Sequence, residues 1–168
     1  MNFKIENIII GLSETLPENL NLICEIEKQR GNREFINPYD KKRHQQVIDS
    51  KDEEHLSIWN KDNKELIGFV ILAGLANPNL SLELRRIVVQ PKGKGYGRQC
   101  LQLVKQYSFQ TIKFHRLWLD VFEDNQRAIH VYKSEGFKEE GKLRDAIKSD
   151  EGFRTLIILS ILENEYDK

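Results

Sequence analysis

The stretch Leu80-Ser81-Leu82-Glu83-Leu84-Arg85-Arg86-Ile87-Val88-Val89 runs straight into Gln90-Pro91-Lys92-Gly93-Lys94-Gly95-Tyr96-Gly97-Arg98 and then into Leu101, Val104, Tyr107 and Ser108. The first ten residues read as a strand, and the last four recur at helical spacing, so the glycine-rich segment between them is a strand-to-helix turn. A helix is expected over 95–109. It is followed by a short, almost wholly apolar strand over Leu117–Phe122, expected to be buried on both faces, and a second helix over Asn125–Ser134 closed by Gly136. Strand, helix, strand and helix in succession imply one parallel crossover. Upstream, the runs Leu56–Trp59, Leu66–Leu75 and Leu80–Val89 are separated by turn residues and read as an antiparallel meander. Further out lie a first strand over Ile5–Leu12, a helix through Leu20, Ile23 and Ile26, and a short polar helix capped by Asp40 with little apolar anchorage. At the far end, strands over Phe137–Leu143 and Phe153–Leu162 are joined by a polar loop. The expected fold is α+β: one domain over 1–168, with a mixed, mostly antiparallel seven-stranded sheet flanked by about four helices.

Composition narrows the function classes. The chain has 168 residues, 39% hydrophobic and 31% charged, enough for one core and too polar for a life in the bilayer. The apolar run Ile8–Ile10 is far below the roughly 18 residues of a membrane span, and no basic cluster precedes it, so no signal peptide is read. Twenty-six basic residues balance 26 acidic ones, which leaves no global field to draw the chain to nucleic acid or an anionic membrane. Cys24 and Cys100 sit in apolar-periodic segments and read as two buried thiols in a reducing compartment, hence a cytoplasmic protein. The four histidines lack metal-ligand spacing, so no metal is expected and they read as surface or packing residues.

Any anion must therefore be bound locally, and the glycine turn is the place. Glycines let the backbone turn and present several N–H groups together at a helix N-terminus, where the macrodipole adds about half a positive charge. Lys92, Lys94 and Arg98 add cations, and a phosphate or pyrophosphate is the natural guest. The turn is not a phosphate loop of the Gly-x-x-x-x-Gly-Lys-[Ser/Thr] type, and Arg98 stands where the third glycine of Gly-x-Gly-x-x-Gly would fall. No Gly-x-Ser-x-Gly elbow supports a serine hydrolase.

Lys92-Gly93-Lys94-Gly95-Tyr96-Gly97 resembles the Arg/Gln-x-x-Gly-x-Gly/Ala acetyl-CoA signature of the GNAT N-acetyltransferase superfamily, with Lys92 in the first place; Gln90-x-x-Gly93-x-Gly95 fits in a second register. Asn125, Ala128, Tyr132, Gly136 and Phe137 match a second family signature, Asn-x-x-Ala-x-x-x-Tyr-x-x-x-Gly-Phe, at every fixed position. Asn32-x-x-Phe35-Ile36-x-Pro38 and Glu83 resemble the ribosomal-protein N-terminal acetyltransferase group. The resemblance implies a cytoplasmic enzyme that passes acetyl directly from acetyl-CoA to a primary amine, of a protein N-terminus, a lysine or a small molecule. It implies that Ile87, Val88 and Val89 pair with the pantetheine arm, that Lys92, Gly93, Lys94, Gly95, Tyr96, Gly97 and Arg98 hold the pyrophosphate, and that Asn125, Ala128 and Tyr132 complete the cofactor site. Tyr132 is the candidate acid for the leaving thiolate, the Val89 N–H the oxyanion donor, and Glu83 or Asp120 the base. Strand alternation places Glu83, Arg85, Ile87 and Val89 on one face. The acceptor would be chosen by residues 19–50 and the loop between the last two strands. Family habit alone admits a homodimer. A non-catalytic acyl-CoA-binding or sensing domain is the alternative reading, and an anion-binding interaction module a third.

Overall fold

A computed structural model describes residues 2–166. Eight strands form one sheet in the spatial order β1-β2-β3-β4-β5-β6-β8-β7. They are β1 (Ile5–Glu6), β2 (Ile10–Glu14), β3 (Glu53–Asn60), β4 (Leu66–Ala73), β5 (Ser81–Val89), β6 (Arg116–Phe122), β7 (Lys138–Ser149) and β8 (Gly152–Leu162), with helices α1 (Leu20–Lys28), α2 (Lys41–Asp49), α3 (Tyr96–Gln106) and α4 (Gln126–Ser134). The α+β class and the mixed sheet are as the sequence implies, and β5–β6 is the one parallel pair among the described strands. The eighth strand arises because Ile5–Leu12 is not one strand. Asn7 accepts the N–H groups of Ile9 and Ile10 at 2.8 and 2.9 Å, a side-chain turn that folds the segment into the β1–β2 hairpin. The expected polar loop before Phe153 is instead strand, as β7 and β8 extend into a long hairpin.

The two helical layers cover opposite faces. Cys100, Leu101, Leu103 and Val104 of α3 and Ile129 of α4 pack on Leu82, Leu84, Leu117, Leu119 and Val121. Leu20, Ile23 and Ile26 of α1 and Val47 of α2 pack on Phe69, Ile71 and Val88. Each of these side chains contributes about 1.5–3 kcal/mol by leaving water. Helix α4 ends in a Schellman turn: Phe137 N–H reaches Tyr132 O and Gly136 N–H reaches Lys133 O, both at 3.1 Å, with Gly136 at φ +95°.

Three expectations change. Strand β6 is buried on one face only, because Trp118, Asp120 and Phe122 point to the α1–α2 side, where no helix covers Asp120. Helix α2 is firmly anchored, since His44 and Val47 are fully buried. Cys24 is only partly buried, whereas Cys100 is wholly so.

Candidate active site

Strands β5 and β6 pair only through Ser81–Glu83 and Arg116–Trp118, then part. Each keeps its other neighbour: β5 stays bonded to β4 out to Val89, and β6 to β8 out to Phe122. The sheet is therefore split, and the facing edges of Leu84–Val89 and Leu119–Phe122 have no strand between them. Gln90 N–H donates to Ile67 O on β4 at 2.7 Å, and alternation then turns the N–H groups of Val89 and Ile87 the other way, across the split.

A bulge shapes this wall. Ile71 lies opposite Arg86 but Leu72 opposite Leu84, which makes Arg85 the extra residue. A bulge reverses the alternation beyond it, so Ile87 and Val89 face the α3–α4 layer with Leu82 and Leu84, while Glu83, Arg86 and Val88 face α1–α2. The single-face expectation for Glu83, Ile87 and Val89 fails for that reason. Gly68, opposite Val89, permits the close pairing here: a Cβ on it would lie 2.1 Å from Val88 O.

The glycine turn sits at the mouth of the split. Gly93 and Gly95 have φ of +82° and +77°, which other residues rarely adopt, and Gly95 is the N-cap of α3. The N–H groups from Gly93 to Arg98 have no protein acceptor among the described residues. A Cβ added at Gly93, Gly95 or Gly97 would meet nothing within 4 Å. Free donors around open space at a helix N-terminus fit a bound pyrophosphate, and the residues present suit the phosphate end of acetyl-CoA. Lys92 and Lys94 border this space. Lys92, though exposed, is pushed below the usual lysine range, first by desolvation and then by the Arg127 charge. Arg127, in the first turn of α4, thus joins the cationic rim. Sequence reasoning passed over it, although it immediately precedes Ala128 of the second signature. Arg98 is turned away: its Nη1 donates to Glu135 at 2.8 Å, in a cluster with Lys105. Tyr96 accepts from Asn60 at 3.1 Å through its hydroxyl.

Asn125 caps α4, its Oδ1 accepting Ala128 N–H at 3.3 Å, and Ala128 packs at the core margin. Tyr132 lies two turns on, against Phe137 with ring centroids 5.8 Å apart. Its hydroxyl has no hydrogen-bond partner among the described residues and is not sealed from solvent. Desolvation, then the nearby Cys100 and Asp120, holds the phenol well above its ordinary range, so it keeps its proton. Glu83 is taken up by Arg85, whose Nε and Nη2 donate to it at 3.2 and 2.7 Å. Asp120 has no ion-pair partner among the described residues. Its carboxyl is raised above the usual aspartate range by desolvation and by Glu83, with Arg85 opposing. The split thus brings Val89, Tyr132, Glu83 and Asp120 around one opening, with the glycine turn at its entrance. Among the described residues no helix is long and apolar enough to cross a membrane, and no cluster of three or more metal-ligating side chains occurs.

Comparisons agree with this architecture. A spermidine N(1)-acetyltransferase of Vibrio cholerae is 31% identical over 104 residues, which is 61% of this chain and 60% of that protein. The Escherichia coli (strain K12) spermidine N(1)-acetyltransferase is 29% identical over 104 residues, covering 61% of this chain and 55% of the relative. The match thus spans less than two thirds of the length of these curated relatives. The crystal structure of the Vibrio cholerae spermidine N-acetyltransferase in complex with CoA and spermine superposes with a TM-score of 0.85 at 25% identity, over 95% of this chain and 99% of that one. These relatives are named for a polyamine, where the sequence had suggested the narrower ribosomal-protein group. The model of the acetyltransferase (GNAT) family matches residues 21–137, from the first helix to the Schellman turn that closes α4, and the chain belongs to that family.

Proposed function

We propose that this chain is an acetyl-CoA-dependent N-acetyltransferase whose acceptor is a polyamine of the spermidine class. The observation that carries the reading is the split between β5 and β6 with free N–H groups at its mouth and along one wall. Acetyl-CoA supplies an activated thioester. The Gly93–Arg98 N–H groups, with Lys92, Lys94 and Arg127, hold its phosphates, and the outward N–H groups of β5 take the amide arm as an added strand. The Val89 N–H stabilises the oxyanion that forms when the amine attacks. Tyr132, protonated and unbonded, donates to the departing thiolate. Asp120 takes the ammonium proton in preference to Glu83, because Glu83 is already held by Arg85. Desolvation, then the Glu83 charge, raises the Asp120 carboxyl above the usual aspartate range, the direction that strengthens it as a base.

The polyamine is favoured over a protein N-terminus by the relatives' named substrate and by the unpaired Asp120 carboxylate on the acceptor side, which suits a polycation. The test is thiol release from acetyl-CoA on addition of spermidine, spermine or an N-terminal peptide. Polyamine-dependent release with little response to peptide is expected, and absence of CoA binding would refute the reading. Tight CoA binding without release to any amine would favour an acyl-CoA-sensing domain.

A further inference from the structure

On the acceptor side of the split, under α1 and α2, lies a buried polar chain that the acetyl-transfer chemistry does not use. Glu27 of α1 is fully buried and accepts from the Tyr39 N–H at 2.9 Å, from Arg86 of β5 and from His44 Nε2 at 3.0 Å. His44 Nδ1 meets His55 Nε2 at 2.9 Å, His55 Nδ1 meets Thr15 Oγ1 at 2.9 Å, and Thr15 meets Ser57 at 2.8 Å. All five residues are at least 96% buried, with Phe69 packed edge-on to His44 and tilted against His55. The chain ties α1, α2, β3, β5 and the segment just after β2 together.

Its proton order follows from chemistry. A carboxylate only accepts, so His44 Nε2 carries hydrogen. Neutral His44 then accepts at Nδ1, His55 donates from Nε2 and accepts at Nδ1, Thr15 donates to it, and Ser57 donates to Thr15. Every group is satisfied in this one ordering. A proton added to His44 reverses every later bond and leaves the buried Ser57 hydroxyl hydrogen with no acceptor among the described residues. A second proton sets N–H against N–H across the 2.9 Å gap between the rings. Arg86 already balances Glu27, so nothing in the pocket calls for a charged imidazole.

The far end of the chain reaches the reacting centre. Arg86 directly follows the bulge residue Arg85, its Nη2 donates to Asn37 O at 2.6 Å, and its guanidinium lies 3.5 Å over the Tyr39 ring. Arg85 grips Glu83, and Val89 is three residues beyond Arg86.

We propose that Glu27 is a positioning residue for the acceptor side of the cleft: through Arg86 it holds the bulge of β5, and with it Glu83 and the Val89 N–H, in working geometry only while His44 and His55 are both neutral. This rests on the acetyl-transfer reading of the split. The charged and titratable groups that face the pair are Glu27 from α1, Tyr39 from the loop before α2, Arg43 from α2 over the Tyr39 ring, Glu53 from β3 bound to Arg43 and Arg85, and Arg86 from β5; the segment just after β2 contributes Thr15 and β4 contributes Phe69. Acid entry therefore weakens the working geometry while leaving the glycine turn, on the other layer, intact.

The test combines imidazole 15N spectra with kinetics. In the wild-type protein His44 and His55 are expected as Nε2–H tautomers at pH 8, with the His55 signals unchanged between pH 8 and 5. Nδ1–H on His44, or a His55 signal that shows protonation between pH 8 and 5, overturns the relay, and these spectra decide even if a variant fails to fold. Glu27→Gln is expected to lower kcat for spermidine at least ten-fold, to move the acid limb of its pH profile to lower pH because loss of the carboxylate disfavours a proton on His44, and to keep the CoA dissociation constant within about three-fold. An unchanged kcat and pH profile in a folded Glu27→Gln variant overturns the positioning role. A chain with the expected spectra that acetylates no amine refutes the acetyl-transfer reading, and the positioning role with it.

Discussion

Tyr132→Phe removes one oxygen and leaves the ring against Phe137. Because the Tyr132 hydroxyl bonds to no described residue, its loss breaks no hydrogen bond, and the roughly 1 kcal/mol that a buried hydroxyl bond would contribute does not apply. Stability should stay within about 0.5 kcal/mol. A proton donor to the thiolate acts in the transition state, so the cost should fall on kcat: about 10²-fold, equivalent to about 2.7 kcal/mol at 25 °C. The CoA dissociation constant should move less than about two-fold, since the phosphates and the amide arm are held by backbone groups elsewhere. The raised phenol keeps its proton across the neutral range, so the deficit should be nearly constant from pH 7 to 9. Thermal unfolding, CoA titration and steady-state thiol release on both proteins check each part. A kcat within two-fold of wild type would refute the acid role; the thiol of CoA, with a pKa near the roughly 8.5 of cysteine, would then leave unaided.

Gly97→Glu adds a carboxylate in open space at an ordinary φ, and one charge at about 6 Å from a doubly charged pyrophosphate repels it by about 1.4–2.8 kcal/mol, so CoA should bind about 10- to 100-fold more weakly in a variant whose circular dichroism is unchanged. Asp120→Asn should lower kcat/KM by about 10²-fold or more; the base works deprotonated and its pKa is raised, so wild-type activity should fall on the acid side at a pH above that of an ordinary aspartate, and the variant's pH profile should lose that limb. Burial, with the neighbouring His44 second, pushes His55 down to about 3 from 6.5, so the unfolded chain takes up its proton first: this contribution is complete above about pH 6.5 and is lost as pH falls toward 3, with about 2 kcal/mol of it already lost at pH 5, to be read as a pH-dependent denaturant midpoint that flattens in His55→Gln. Gly68→Ala should destabilise by several kcal/mol, because its Cβ would lie 2.1 Å from Val88 O and only a shift of β4 from β5 relieves it, which calorimetry will measure.

The local signals were strong where one segment sets its own conformation. The turn from Lys92 to Arg98, the Asn125 cap, the Gly136 stop and the parallel crossover follow from glycine freedom, capping chemistry and periodicity, all properties of neighbours in the chain. The sequence therefore defined the α+β class, the phosphate-binding turn and the position of Tyr132 on its helix. What it could not carry depends on residues far apart. The Arg85 bulge is defined only by the register of β5 against β4, and it alone puts Glu83 and Val89 on different faces. The split appears because β5 and β6 each follow their other neighbour, a sum of pairings that no single segment encodes. Arg98 reads as a phosphate ligand until α4 brings Glu135 to it, and Arg127 reads as a surface charge until the same packing sets it beside Lys92. Most telling are His44 and His55, which show no spacing that suggests a pair. They meet because α2 lies across β3, and only there does the loss of water make their shared protons matter.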